Sequence, residues 1–558
     1  KDVNIEMYNL FFSHTFLARV KERLSVKLRE LDTWEETKGL TDNEVEQKEC
    51  IETQLSVDMV GLAEQAEAAI RTVHGEDFYD SDKLEQALNT FREVMRYISA
   101  AYYPASLVFY PMESNLGYRP GVSQEVFTCL EDEQVNVYRE VCRQLVIPAI
   151  KEEAPTIVGI SMGTRMQFLC GLTFCKMIKE AFPDIHVTVG GNIITRLRED
   201  LLKHERFFTE VFDSAIMYEG EHALLWLLEA LGGKREWKTV PNLIYREKTG
   251  VRVNNEMYTE KITELPIPDF DGLPLDSYFV PVRIIPYLAT RGCYWGRCTF
   301  CDHGQGYLDK YRGKPGSQAV KEIKALKEKY KTDHFLFPDE SYPPALFKKV
   351  IQLLVEQDVK IEWTTPIRFE EALQDPELWE MAARAGCRAL YFGMESANEQ
   401  VLNLMNKHVK KHVIENNLRE SAKAGIWNHV MAIFGFPGET REQAEDTRQF
   451  LLDNKDTIHS VEMSNFVAYR HSPIVHNPEK FGITIHKQDE YDMPLDYYYT
   501  LNKPIGLTCM EAMELSEDIY RNDFEPWAVR INAREHVFLY ISRYGTNRLP
   551  QIYAKQRQ

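Results

Sequence analysis

The sequence predicts an α/β protein: a Rossmann-like domain with a large helical amino-terminal part, then a partial parallel (β/α)6 barrel and a mixed carboxyl-terminal domain. Three observations predict it. Short apolar runs that end in glycine alternate with helical stretches from Thr156 onward. The alternation resumes at Ile284 and holds for some ~180 residues, longer than one compact β/α unit requires. A proline-punctuated stretch separates the two runs.

Residues 1–150 keep helical spacing at Met59, Leu62, Ala63, Ala66 and Ile70, and again at Leu84, Ala87, Leu88, Phe91, Val94 and Met95. Val3-Asn4-Ile5 is expected to be a short strand. Strands follow at Thr156–Ser161, His186–Val189 and Ser214–Met217, with a helix over about Arg165–Phe182. Their glycine-bearing ends are the grammar of a doubly wound sheet that takes a ligand at its carboxyl edge. The first domain is assigned to residues 1–235, with about 8–150 as a helical insertion or cap. Residues 236–277 form a linker with a hairpin at Asn242–Val253. The barrel covers 278–470, with strands at Ile284–Thr290, His334–Phe337, Ile361–Thr365, Ala389–Phe392, His429–Phe434 and Val461–Phe466. Residues 471–558 form a tyrosine-rich domain that closes the barrel or shapes a substrate pocket.

Composition narrows the function. At 558 residues, 44% hydrophobic and 27% charged, the chain can build several sizeable cores. No apolar run approaches the roughly 18–20 residues that a bilayer requires, and no signal peptide is visible, so a cytoplasmic protein without a membrane partner is expected. The chain opens on Lys1 rather than Met, and a start further upstream is expected. A net charge of −19 disfavours a nucleic-acid partner.

Of ten cysteines, seven are scattered through apolar or helical stretches, as reduced core residues are. The other three, Cys293, Cys298 and Cys301, follow C-x4-C-x2-C directly after the first barrel strand, at the edge where such folds place chemistry. Three thiolates so spaced can hold one iron–sulfur cluster and leave one iron open. The alternative is a zinc site with His303 as fourth ligand.

This loop resembles the cluster loop of the radical S-adenosylmethionine (SAM) superfamily. That family's usual spacing is C-x3-C-x2-C; one extra residue stands between Cys293 and Cys298, as in other cobalamin-dependent members. The resemblance continues at later strand ends: Phe337-Pro338-Asp339-Glu340-Ser341, Thr365-Pro366-Ile367-Arg368, Gly393-Met394-Glu395-Ser396 and Phe434-Gly435-Phe436-Pro437-Gly438-Glu439. It implies a 4Fe-4S cluster on the three cysteines and a SAM site formed by Phe300, Asp339, Glu340, Arg368, Glu395, Ser396 and Phe436. Within that site, the acidic pair would take the amino group and Arg368 the carboxylate.

The domain in front resembles the cobalamin-binding Rossmann domain that precedes many radical SAM barrels. By that resemblance Ser161, Met162, Gly163, Gly190, Gly191, Asn192, Glu219, Gly220 and Glu221 would line the corrinoid pocket. The chain has no Asp-x-His-x-x-Gly motif, so cobalt would lack a histidine below it. The family's first strand is not identified, and Val3–Ile5 would be its second. A Rossmann-like domain without a ligand is the alternative reading.

Together the resemblances imply methyl transfer from methylcobalamin to an unactivated carbon of a peptide or natural product, through a 5′-deoxyadenosyl radical. The same cofactors would also serve ring contraction, cyclisation or rearrangement. A non-catalytic cobalamin or SAM sensor is a further alternative. The expected partners are a small-molecule or peptide substrate and an electron donor such as flavodoxin or ferredoxin.

Overall fold

The computed structural model describes residues 2–109, 114–254, 257–303, 310–524 and 534–546. It divides into two compact units. The first takes the amino-terminal residues to Thr259, with Phe270–Pro281 and Asp489–Pro494. The second takes Glu260–Asp269, Val282–Gln488 and the residues from Leu495.

In the first unit the sheet runs β1 (Ile157–Ser161), β2 (His186–Gly190), β3 (Ser214–Ile216), β4 (Leu243–Glu247) and β5 (Gly250–Val253), in that spatial order. β1 to β3 are parallel, and the β4–β5 hairpin joins antiparallel to β3. The hairpin expected in the linker is therefore part of the sheet. Long helices at His14–Thr37, Asp42–Leu55, Met59–His74 and Ser81–Ala101 precede it. Phe12, Phe91, Phe109 and Phe279 pack ring on ring, with Phe91–Phe279 centroids 5.4 Å apart. That packing, and the hydrogen bond from the Tyr278 hydroxyl to Asp2 (2.6 Å), draw the Phe270–Pro281 segment into this unit.

Val3–Ile5 is not a strand. Val3–Phe11 is a helix, N-capped by the Asp2 side chain on the Asn4 amide. Ile5, Tyr8 and Phe11 fall on its buried face, a helical spacing that the three-residue window was too short to reveal.

The second unit is a six-stranded parallel sheet: β6 (Ile284–Pro286), β7 (His334–Leu336), β8 (Glu362–Ile367), β9 (Cys387–Glu395), β10 (Trp427–Phe434) and β11 (Ser460–Asn465). Each strand pairs with its sequence neighbour, the order of a singly wound barrel, and among the described residues β6 and β11 do not meet. Helices Gly316–Tyr330, Pro344–Glu356, Pro376–Arg384, Lys411–Lys423 and Arg441–Asp453 fill the crossovers. Trp363 packs on Phe347, and Phe392 on Trp379, which covers the outer face of β8 and β9.

The same two strands also carry helix Arg534–Tyr544, so this helix lies on their inner face. Its Arg534 pairs with Glu462 of β11 (3.3 Å) and stands over the Tyr391 ring; its Phe538 meets His334 at the start of β7. Most of the described residues beyond 471 fall in the same unit as the barrel, while Asp489–Pro494 fall in the first. Among the described residues no helix is long and apolar enough to cross a membrane.

Two glycines end barrel helices with positive φ, but their surroundings differ. Gly386 (φ +88°) would place a Cβ 1.7 Å from the Ile361 carbonyl oxygen, whereas Gly425 (φ +79°) has nothing within 4 Å. Gly425→Ala should therefore cost only about 1–2 kcal/mol of left-handed strain. Gly386→Ala must also push the backbone apart, and it should lower the urea midpoint of this unit by clearly more. Equal midpoints for the two variants would contradict this packing.

Candidate active site

The cluster loop leaves the barrel under tight control. The Thr290 amide and hydroxyl both donate to Asp339, the amide at 2.6 Å, and Thr290–Arg291 pair with Arg312–Gly313 as a short antiparallel ribbon. Gly292 (φ +78°) turns the chain where a Cβ would lie 2.9 Å from the Lys310 carbonyl oxygen. Residues 404–406 then run beside the loop. The Trp295 indole donates to the Asn406 carbonyl (2.9 Å), the Asn406 side-chain Nδ2 to the Arg297 carbonyl (2.8 Å), and the Thr299 backbone amide to the Met405 carbonyl (3.0 Å).

Cys293, Cys298 and Cys301 are half-buried on this loop. Burial pushes the Cys301 thiol well up, and the Cys298 thiol up against the opposing pull of Lys407 and Arg368. A bound metal reverses that balance by holding the thiolate. His303 turns its Nδ1 to Glu340 (2.7 Å), a carboxylate rather than a cysteine. Among the described residues no three His, Cys, Asp or Glu side chains converge on a single-ion site.

Beside Cys298 lies a buried charge pair. Lys407, 3% exposed, donates to Glu395 and to the Gly393 carbonyl. A Cβ on Gly393 would come within 2.7 Å of Glu395 Oε1 and 2.9 Å of the Lys407 ammonium, so a side chain there would crowd the charged ends of the pair. At the end of β9 the register with β10 slips, and Glu395 takes φ +67°, which a glutamate holds only when its surroundings enforce it. Arg368 follows β8 and reaches the same place: Nε donates to Glu370 (3.2 Å), one terminal nitrogen to the Lys407 carbonyl (2.9 Å) and the other to Cys298 Sγ (3.9 Å). Lys407, Trp295 and Glu370 escape the sequence analysis because none belongs to a strand-end motif. Trp295's place inside the cysteine spacing is the one signal that could have found it.

The other expected SAM residues divide by environment. Asp339 is fully buried; burial pushes its carboxyl up to about 7, and its second oxygen has no hydrogen-bond partner among the described residues. Glu439 is similar: it accepts from the Gly435 amide (2.6 Å), is pushed up to about 7 by burial, and leaves one oxygen without a partner among the described residues. The Ser396 hydroxyl meets Thr447 (3.1 Å) and accepts from the Asn398 amide. Phe300 packs against the apolar cluster that contains Phe436, Met405 and Tyr499.

In the first unit the expected corrinoid residues gather at the carboxyl ends of β1 to β3. The Met162 amide donates to the Gly190 carbonyl (2.8 Å), and the Met162 carbonyl accepts from Ile193 (3.2 Å). Gly191 (φ +99°) closes this crossing, where a Cβ would sit 2.4 Å from the Met162 carbonyl oxygen. Asn192 buries an Oδ1 with no partner among the described residues, and the exposed Gly163 amide is capped by Gln167 (2.8 Å). Glu219 is buried after β3, its carbonyl accepting from Asn242 (3.2 Å); Gly220 and Glu221 open helix Glu221–Leu231.

Comparison with known proteins fits this geometry. Residues 287–451 match the radical SAM superfamily. An uncharacterized methyltransferase of Pyrococcus horikoshii is 28% identical over 309 residues, covering 54% of this chain and 65% of that protein. The anaerobic magnesium-protoporphyrin IX monomethyl ester cyclase of Rubrivivax gelatinosus is 26% identical over 384 residues, 66% of each chain. The chain thus spans just under two thirds of the length of these relatives. The radical SAM methyltransferase TsrM from Kitasatospora setae, solved with cobalamin and a [4Fe-4S] cluster bound, superposes with a TM-score of 0.58 at 16% identity, over 75% of this chain and 91% of TsrM. That likeness is one of fold. Residues 287–451 therefore form a radical SAM domain, in a chain with the fold of a cobalamin-dependent radical SAM enzyme.

Proposed function

We propose that this chain uses a 4Fe-4S cluster, SAM and cobalamin to transfer a methyl group to an unactivated carbon of a peptide or natural-product substrate. The observation that carries the reading is the buried Lys407–Glu395 pair beside Cys298. The amino-acid end of SAM is a zwitterion. An ammonium and a carboxylate held next to a cluster cysteine offer each of its charges a partner, Lys407 for its carboxylate and Glu395 for its ammonium.

The cluster and the corrinoid, when bound, would supply the electron that cleaves SAM and the methyl group that is transferred. The chain's own residues do the holding. Cys293, Cys298 and Cys301 would ligate the cluster. Asp339 steadies the strand that enters their loop, and Glu340 pairs with His303. Phe300 and Phe436 supply an apolar wall that keeps water out, and Ser396 ties the end of β9 to helix Arg441–Asp453 through Thr447. Ser161–Gly163, Gly190–Asn192 and Glu219–Glu221 would cradle the corrinoid; the unpartnered Asn192 Oδ1 is an acceptor waiting for a donor. A cytoplasmic flavodoxin or ferredoxin would supply electrons.

The likeness to the Rubrivivax cyclase favours one second reading, radical cyclisation or rearrangement with the same cofactors. Products separate the two. A methylase forms S-adenosylhomocysteine together with 5′-deoxyadenosine; the alternative forms only the latter.

Anaerobic reconstitution with iron, sulfide and hydroxocobalamin should load about four irons and one corrinoid per chain, with 5′-deoxyadenosine appearing on reduction. A Cys298→Ala chain that keeps its iron and its SAM cleavage would sink the cluster reading. Lys407→Met and Glu395→Gln should each weaken SAM binding by about 2 kcal/mol or more, roughly 30-fold, in equilibrium dialysis of the iron-loaded protein. Unchanged affinity in both would remove the pair from the SAM site.

A further inference from the structure

Arg368 is expected from the sequence to meet the SAM carboxylate, but each of its three nitrogens already has a protein acceptor: Glu370, the Lys407 carbonyl and Cys298 Sγ. Its guanidinium carbon stands over the Trp295 ring, 4.4 Å from the centroid, and the residue is 6% exposed. Trp295 is itself fixed by the Asn406 carbonyl (2.9 Å), and its neighbour Tyr294 donates to the same Glu370 oxygen that orients Arg368 (2.7 Å). Tyr294 and Trp295 both belong to the four residues between Cys293 and Cys298. The lengthened gap thus builds the seat in which Arg368 rests.

We propose that Arg368 is a positioning residue for electron transfer, seated by Tyr294 and Trp295 so that its guanidinium donates to the Cys298 sulfur and raises the reduction potential of the cluster. The inference rests on the cluster reading above. Reduction adds negative charge to the cluster and its thiolates. A fixed cation and an N–H donor at one of those sulfurs stabilise the reduced form more than the oxidised one. Glu370 offsets part of that charge, but it lies on the Nε side of the guanidinium, whereas a terminal nitrogen faces the sulfur. Cation–π contact with the indole holds the plane in place without neutralising it.

The test is an EPR-monitored potentiometric titration of the reconstituted full chain, with iron content and SAM affinity measured alongside. Arg368→Gln and Trp295→Leu should both shift the midpoint to lower potential. Arg368→Lys, which keeps the charge, and Trp295→Phe, which keeps a ring, should recover part of the shift. Midpoints unchanged in Arg368→Gln and Trp295→Leu would overturn the proposal. Weakened SAM binding at an unchanged midpoint would also overturn it, and would return Arg368 to the SAM carboxylate. Iron lost from all four variants would make the role structural and overturn it too. An unsubstituted chain that binds no iron is a different result, because it removes the cluster reading itself.

Discussion

A lysine ammonium taken out of water has to be surrounded by acceptors, and around Lys407 that requirement organises the site. Glu395 and the Gly393 carbonyl answer it from the end of β9. To do so, the strand gives up its register, Gly393 forgoes a side chain, and Glu395 accepts a left-handed backbone. The Lys407 carbonyl in turn receives Arg368, so the cation's own backbone positions a second cation. The residues just before it, 404–406, hold the cysteine loop by the Thr299 amide and the Trp295 indole. One buried charge thereby links the end of β8, the end of β9 and the loop that follows β6.

The barrel was legible because buried parallel strands are written as short apolar runs, and the structure finds all six close to the expected places. The motifs at their carboxyl ends were legible for a different reason: glycines and charges are rare there unless backbone or ligand demands them. What could not be read was anything decided by long-range approach. Lys407 is one basic residue among many in a polar stretch between helices, and nothing near it in the chain announces burial. Asp339 looks like half of a solvated acidic pair, yet it is sealed beneath Thr290, while Glu340 beside it pairs with His303.

Errors in the first unit have the same origin. Val3–Ile5 offers three residues of β-prone character, and only Tyr8, Phe11 and Phe12 beyond them show that the period is helical. The hairpin expected at Asn242–Val253 forms as β4 and β5, but its addition to the sheet depends on pairing with β3, a partner ~30 residues earlier in the chain. Gly191 was singled out for the approach of a ligand; the structure adds a constraint within the chain, the Met162 carbonyl against which a Cβ would clash.

The helix on the inner face of β8 and β9 bears on how the protein is made. It leaves the ribosome about 70 residues after the last barrel strand, a delay of several seconds at ordinary rates of synthesis. Until it docks, Tyr391 and Glu462 face an open interior. The barrel therefore has an interval in which its strands exist and its inside is still accessible to water, and the strands must hold their pairing without that helix until synthesis reaches it.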